Sequence, residues 1–356
     1  MKHDPPEPLV RGTAHFTGDL PLPAGTLHAM VATSPHAHAR FTRIDTTAAL
    51  AGEGVVAVLT AADIPGSNDI GNLFHDEPLL ASDTVHCVGQ PYALVLADTA
   101  DAAWRGAQKV QADWTPLPAV FDAREAFARG DLIQPPRTFA MGDITSAWND
   151  CHTIVSGTVD IGSAEHVYIE THCALCLPRD DGGLQVFSAT QSPSVVQQAI
   201  ARVTGLAMHR VDIQVQRLGG GFGGKEDQAT LWACLAALAA QKMQRPVKIQ
   251  LDRRDDMRIT GKRHPYSADF RLGLDASGRF LAYEASLFQN AGATADLSTA
   301  ILERSLFHAT NAYFIPHVRV TAASCRTNQP SNTAFRGFGA PQAMLVIEAA
   351  IREAAK

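Results

Sequence analysis

The densest chemical signal in the chain is Arg217-Leu218-Gly219-Gly220-Gly221-Phe222-Gly223-Gly224-Lys225-Glu226. So many glycines together carry a large entropic cost. The backbone there must either approach another group closely or adopt positive φ. The run joins a strand-like segment to a helix-like one, and free N–H groups at a helix start attract anions. Three readings compete. Gly219, Gly221 and Gly224 match the dinucleotide-binding fingerprint, and the next strand-like segment ends in Asp252. Gly219, Gly224 and Lys225 match most of a phosphate-binding P-loop, but Glu226 replaces the Ser or Thr that would hold Mg²⁺. The dinucleotide reading suffers from Glu226 and Asp227, which would repel a pyrophosphate at the helix start. A tight turn that binds nothing is the third reading.

A second signal runs from Asn328 to Gln342, NQPSNTAFRGFGAPQ. Arg336 could clamp an anionic oxygen or sulfur. Phe338, flanked by glycines, could stack on a flat ring. A loop merely anchored by its phenylalanines explains the same residues. Cys173 and Cys176 form a lone CxxC. A zinc site needs a second ligand pair, and strand alternation sends these two sulfurs to opposite faces, so they read as ordinary strand cysteines. An iron–sulfur cluster needs more cysteines at tighter spacing.

The elements that must carry these loops follow from periodicity. Early segments alternate in type: strand LHAMVATSP, short helix TTAALAG, strand GVVAVLT, strand QPYALVLAD and an amphipathic helix over 99–114. Residues 116–140 hold prolines and little periodicity beyond one short helix, which predicts a surface linker. The later chain is strand-rich, with TIVSGTVDI, HVYIETHCALCLP, GLQVFSAT, VDIQVQR, VKIQLD, ADFRLGLD and RFLAYEASLFQ. Helices are predicted at SPSVVQQAIARVTG, QATLWACLAALAAQKM and MLVIEAAIREAAK; the middle one is apolar nearly all round and therefore buried.

With 356 residues, the chain has room for about two domains. Charged residues are 19% of it, below the usual ~25%, which points to extensive burial. A net charge of −6 with no basic cluster argues against nucleic acid. No apolar run approaches the ~20 residues of a membrane span, and the first ten residues lack the apolar segment of a secretory signal. A soluble cytoplasmic protein is expected.

GGGFGGKE followed about a hundred residues later by SNTAFRGFGAPQ resembles the molybdenum-binding subunit of the xanthine dehydrogenase and aldehyde oxidase family. RGTAHFTGDLP, HVYIETHCAL and SATQSP extend the resemblance over essentially the whole chain. It implies an α+β fold. An α/β hammerhead domain would occupy residues 1–120, a linker 121–140, and the first part of a molybdopterin-binding domain 141–356. It implies that Gln191 lies near the metal's apical oxo ligand, that the backbone at Gly221, Phe222 and Gly223 touches the cofactor, and that Arg336 stands beside the metal centre. Phe338 would stack on the substrate ring, Glu226 would hydrogen-bond a purine, and Arg304 would offset charge building on the heterocycle. Glu226 and Arg304 together point to the xanthine dehydrogenase branch, because aldehyde oxidases carry mostly uncharged residues there. Gly337 replaces the Cys of carbon monoxide dehydrogenases and excludes that chemistry.

The resemblance further implies a molybdenum–molybdopterin cofactor here, with FAD and 2Fe-2S clusters on a partner subunit. The family's general base is a Glu in the C-terminal part of a longer subunit. No catalytic base or direct metal ligand is therefore expected in this chain, which reads as a truncated chain or a naturally split subunit. The alternatives are an aldehyde oxidase or other N-heterocycle dehydrogenase of the same family, a non-catalytic fragment, and, remotely, an NAD-binding oxidoreductase.

Overall fold

The computed structural model describes residues 6–356, so the first five residues, part of the stretch searched for a secretory signal, lie outside it. In chain order the first elements are α1 (Glu7–Val10), β1 (Leu27–Thr33), β2 (Ala39–Asp45), α2 (Thr47–Leu50), β3 (Val55–Thr60), β4 (Thr84–Val85), β5 (Pro91–Ala97), α3 (Ala100–Ala107) and β6 (Gln111–Pro116). Next come α4 (Ala123–Arg129), β7 (Arg137–Met141), α5 (Ile144–Ala147), β8 (Thr153–Ile161), β9 (Cys173–Pro178), β10 (Leu184–Ser188), α6 (Pro193–Thr204) and β11 (Val211–Gln214). The last are α7 (Ala229–Met243), β12 (Val247–Gln250), α8 (Arg253–Ile259), β13 (Tyr266–Leu274), β14 (Phe280–Gly292), α9 (Ser298–Phe307), β15 (His317–Arg326) and α10 (Ala340–Ala354).

The strands form three sheets. The largest runs β11-β10-β9-β12-β1-β5-β3 and joins early strands to late ones. Its seam is β1 against β12, parallel, with Leu27 opposite Val247 and Ala29 opposite Ile249. α7 lies across β9 and β12 beside α6. Its Ala-rich surface allows close approach to both, and residues from Trp232 to Ala240 are buried. One apolar core holds Leu27, Leu79, Leu80, Leu94 and Leu96 together with Val186, Ile200, Trp232 and Ile249. The second sheet runs β7-β15-β14-β13-β8, with α9 and α10 packed on it. β13 alternates buried and half-buried positions, as a strand with one face on a core should. The third sheet is β4-β2-β6. No described helix is long and apolar enough to cross a membrane.

Several local expectations change. The helix read over 99–114 stops at Ala107, and Gln111–Pro116 pairs with β2 instead. A period-two pattern was hidden there, and Trp114 packs edge-on against Phe41 and Tyr92 at 5.1 and 5.2 Å. The strand read from His166 begins only at Cys173; Val167 takes φ 51°, outside the strand region, and His166, Tyr168 and His172 are buried. The strand after Val211 ends at Gln214. α8, α9 and β15 lie where no element was read.

The segment read as a surface linker is structured and fastened. It contains α4 and β7, and β7 is an edge strand on β15. The Val120 N–H donates to Asn328 Oδ1 at 2.9 Å, and the Asn328 N–H donates back to the Val120 carbonyl at 2.7 Å. Arg124 pairs with Asp269 at 2.8 Å.

Candidate functional site

The glycine run lies in an irregular stretch, residues 215–228, between β11 and α7. Gly220 and Gly223 have φ of 98° and 97°, a region that L residues rarely adopt. A Cβ on Gly221 would stand 2.4 Å from Gln191 Oε1, and one on Gly223 would stand 2.8 Å from the Ala334 carbonyl oxygen. The glycines here are therefore required by close approach as well as by φ. Phe222 takes φ 55° and is 47% exposed, so its ring stands out from the loop.

Gln191 supports the loop from beneath. Its Oε1 accepts the Gly223 and Lys225 N–H groups at 2.9 and 3.3 Å, while its own N–H donates to the Lys225 carbonyl at 2.8 Å. The amide oxygen is thus committed to the loop, and the NH₂ end is left as the outward donor. The N–H groups of Gly220, Gly221 and Phe222 have no acceptor among the described residues.

A buried ion pair closes the loop from the other side. Lys225 is fully buried, and its Nζ donates to the Glu170 carbonyl at 2.7 Å and to Glu170 Oε2 at 3.1 Å. The same carboxylate accepts the Gly219 N–H at 2.8 Å and the Thr17 N–H at 3.2 Å. The Lys225 ammonium also sits 4.6 Å from the Tyr168 ring centroid. Tyr168 OH donates to Asp256 at 2.8 Å, and the Asp256 carboxylate also accepts the His172 N–H at 2.7 Å. Burial lowers the lysine pKa, and the Glu170 charge opposes that shift.

The second motif meets the first through its backbone. The Arg336 N–H donates to the Phe222 carbonyl at 2.8 Å. The turn is tight, with the Phe338 N–H donating to the Phe335 carbonyl at 2.7 Å and φ of 99°, 52° and 90° at Gly337, Phe338 and Gly339. Gly339 abuts α9, where a Cβ would stand 2.3 Å from the Ile301 carbonyl oxygen. Ser305 Oγ donates to the Gly339 carbonyl at 3.0 Å.

Gln191, Gly221, Phe222, Gly223 and Arg336 therefore gather on one face, and Gln191, Phe222 and Arg336 are exposed on it. Phe338 is half-buried in the same turn as Arg336. Arg304 is exposed on α9, the helix docked against that turn. Glu303, the residue before Arg304, pairs with Arg137 at 3.1 Å. Glu226 is half-buried, which raises its pKa, and no hydrogen bond or ion pair joins it to Arg304. Its neighbour Asp227 is pushed up to about 6 by burial. Asp227 accepts Asn72 Nδ2 at 3.3 Å.

Sequence reasoning missed Glu170, Asp256, His166 and Arg263, and counted Phe335 only as a loop anchor. Lys225 was noticed only as a P-loop match. A lysine inside a glycine run beside an acid was the one available hint of a buried pair. The dinucleotide reading loses its second support, since the Asp252 carboxylate accepts the Asp255 N–H at 2.7 Å and caps α8. Cys173 and Cys176 are buried in β9, where burial raises both thiol pKa values.

The molybdopterin cofactor-binding domain model matches residues 128–356, and the aldehyde oxidase and xanthine dehydrogenase a/b hammerhead domain model matches residues 11–118. The chain is 41% identical to the xanthine dehydrogenase/oxidase of Mus musculus, over 98% of this chain and 26% of that protein. It is 42% identical to the xanthine dehydrogenase of Oryza sativa subsp. japonica, over 95% of this chain and 25% of that one. The chain thus spans about a quarter of the length of these curated relatives. Among solved structures, the aldehyde oxidoreductase from Desulfovibrio gigas superposes with a TM-score of 0.89 at 28% identity, covering 98% of this chain and 41% of that one. The quinoline 2-oxidoreductase from Pseudomonas putida 86 superposes with a TM-score of 0.85 at 27% identity, covering 98% and 47%. A hammerhead domain followed by a molybdopterin-binding domain, with both signature loops laced together, places this chain in the aldehyde oxidase and xanthine dehydrogenase family.

Proposed function

We propose that this chain is part of a molybdenum hydroxylase of the xanthine dehydrogenase type, which hydroxylates hypoxanthine and xanthine to urate in purine catabolism in the cytoplasm. The observation that carries this reading is the lacing of the two glycine loops over Gln191, which gathers residues far apart in sequence on one open face.

The residues present fit a molybdenum–molybdopterin group. The Gly220–Phe222 stretch offers backbone N–H groups without an acceptor, and Gly221 and Gly223 keep the cradle free of side chains. Gly221, Phe222 and Gly223 would hold the cofactor by their backbone, Gln191 would donate its NH₂ toward it, and Arg336 would add a positive charge. When bound, that group supplies two-electron oxidation of a carbon–hydrogen bond, with water as the oxygen source. Phe338 orients a flat substrate by stacking. Glu226, half-buried beside the glycine loop, would hydrogen-bond a purine. Arg304 offsets negative charge that develops on the heterocycle. The general base, the remainder of the cofactor pocket, and the FAD and 2Fe-2S centres would come from the rest of the molybdenum subunit and from a partner subunit.

Oxidation of an aldehyde or another N-heterocycle is the second reading, favoured by likeness to an aldehyde oxidoreductase and a quinoline oxidoreductase. Substrate preference in the assembled enzyme separates the two. Arg304→Met should lower kcat/KM for xanthine about a hundredfold, about 3 kcal/mol, and that for an aromatic aldehyde much less. Glu226→Val should act likewise and shift preference toward aldehydes. Equal losses on both substrates would show that these residues serve the fold or the cofactor, and would remove the purine assignment.

A further inference from the structure

The turn carrying Arg336 and Phe338 is gripped from outside by a residue that neither motif contains. Arg263 follows α8, and its backbone is anchored twice. Its N–H donates to the Ala164 carbonyl at 3.0 Å, and residue 263 forms a parallel bridge to Thr333. From that anchor its guanidinium reaches over the Phe335 ring, 3.9 Å from the centroid. Its Nη2 donates to the Arg336 carbonyl at 2.9 Å. His166 packs on the same phenylalanine at 4.4 Å with the planes 29° apart, and its Nε2 donates to the Ala334 carbonyl at 2.7 Å. Phe335, in turn, sets the tight turn through its carbonyl, which accepts the Phe338 N–H.

Arg263 Nη1 is buried without an acceptor. That is a cost which an apolar residue at 263 would avoid. What the arginine gains lies on Phe335 and on the Arg336 carbonyl. Both contacts need a planar cation; a lysine ammonium can supply charge, but not a flat face together with an in-plane donor.

We propose that Arg263 is a positioning residue for substrate recognition: by gripping the Phe335 ring and the Arg336 carbonyl, it sets where Phe338 stands. This rests on the reading of Phe338 as the residue that stacks on substrate. His166 holds the opposite end of the same segment and assists. Arg263 touches no substrate in this scheme and acts through Phe338.

Two measurements test it. In the isolated protein, amide hydrogen exchange at Arg336 and Phe338 should quicken about tenfold or more in Arg263→Met and also in Arg263→Lys. Amides of β13 and β14 should stay as they are. In the assembled enzyme, both variants should raise KM for a bicyclic heteroaromatic substrate about tenfold, with kcat, molybdenum content and melting temperature close to the parent. A small aliphatic aldehyde, which needs no stacking, should be little affected. Unchanged exchange at 336 and 338, or full rescue of KM by lysine, overturns the proposal. So does a parallel loss of melting temperature and molybdenum in both variants, which would mark a purely structural arginine. If the parent enzyme oxidises no heteroaromatic substrate, the functional reading fails by itself, and the exchange experiment still decides whether Arg263 positions the turn.

Discussion

At the scale of single residues, carboxyl groups behind the glycine loop set a pH dependence. Asp296 is buried, with φ 44°, and accepts Gln228 Nε2 at 2.8 Å and Thr333 Oγ1 at 2.7 Å. It thereby ties the residue before α7 to the segment that leads into Arg336. Burial and the nearby Asp227 push its carboxyl up to about 8, and Glu77 is raised well above the ordinary range by burial and by Asp296, Asp227, Asp76 and Asp69. A folded-state pKa above the unfolded value means that the folded form binds more protons between the two. The stability from this group is therefore fully present below about pH 4 and is lost as pH rises toward 8. Asp296→Asn keeps an acceptor for Thr333, tolerates the left-handed φ and removes the titration. It should shrink the fall in stability between pH 5 and pH 8 and gain about 1–3 kcal/mol at pH 8. Urea midpoints at four pH values check this, and an unchanged slope refutes it.

At the scale of elements, periodicity found the strands and helices whose own side chains define a face, such as β8 and α6. It overlooked elements defined by what they pack against. The alternation in Gln111–Pro116 becomes meaningful only when β2 lies alongside. The 116–140 segment carries prolines that look like a linker, yet its hydrogen-bonding groups are answered from β15 and from the residues after it: the Ile133 N–H donates to the Ser324 carbonyl at 2.9 Å, and the Arg326 N–H donates to the Asp131 carbonyl at 2.8 Å. Backbone held at both ends cannot enter a protease cleft without local unfolding. Limited trypsin digestion should therefore leave Arg124 and Arg129 uncut while more exposed turns are nicked. A first cleavage at either residue would show that the segment opens independently.

At the scale of the whole molecule, the seven-stranded sheet makes the early and late strands one cooperative body. Removing residues 1–120 would leave β12 as an open edge and strip Leu27, Leu79, Leu80, Leu94 and Leu96 from the core that they share with Trp232. At ~1.5–3 kcal/mol for each buried leucine, the loss rivals the ~5–15 kcal/mol that keeps a domain folded. Residues 121–356 expressed alone should lack a cooperative thermal transition and expose apolar surface to dye. A sharp, monomeric transition near that of the whole chain would count against this coupling.

The sequence by itself determined the local chemistry and the family. Glycines that a Cβ cannot replace, an Arg and a Phe between glycines, and an apolar helix each act within a few residues, and their spacing is visible in one dimension. The glycine loop and the turn around Arg336 were legible for that reason, whereas Gln191 entered only through the family resemblance. Only the tertiary structure decided which residues hold those loops. The Glu170–Lys225 pair joins residues 55 positions apart, and Arg263 reaches Arg336 across 73. Pairings at such separations leave no periodic trace, because nothing in the local pattern of one partner depends on the other. The chain also had to fold before β1 could meet β12, which joins early and late strands in one seven-stranded sheet over a shared core.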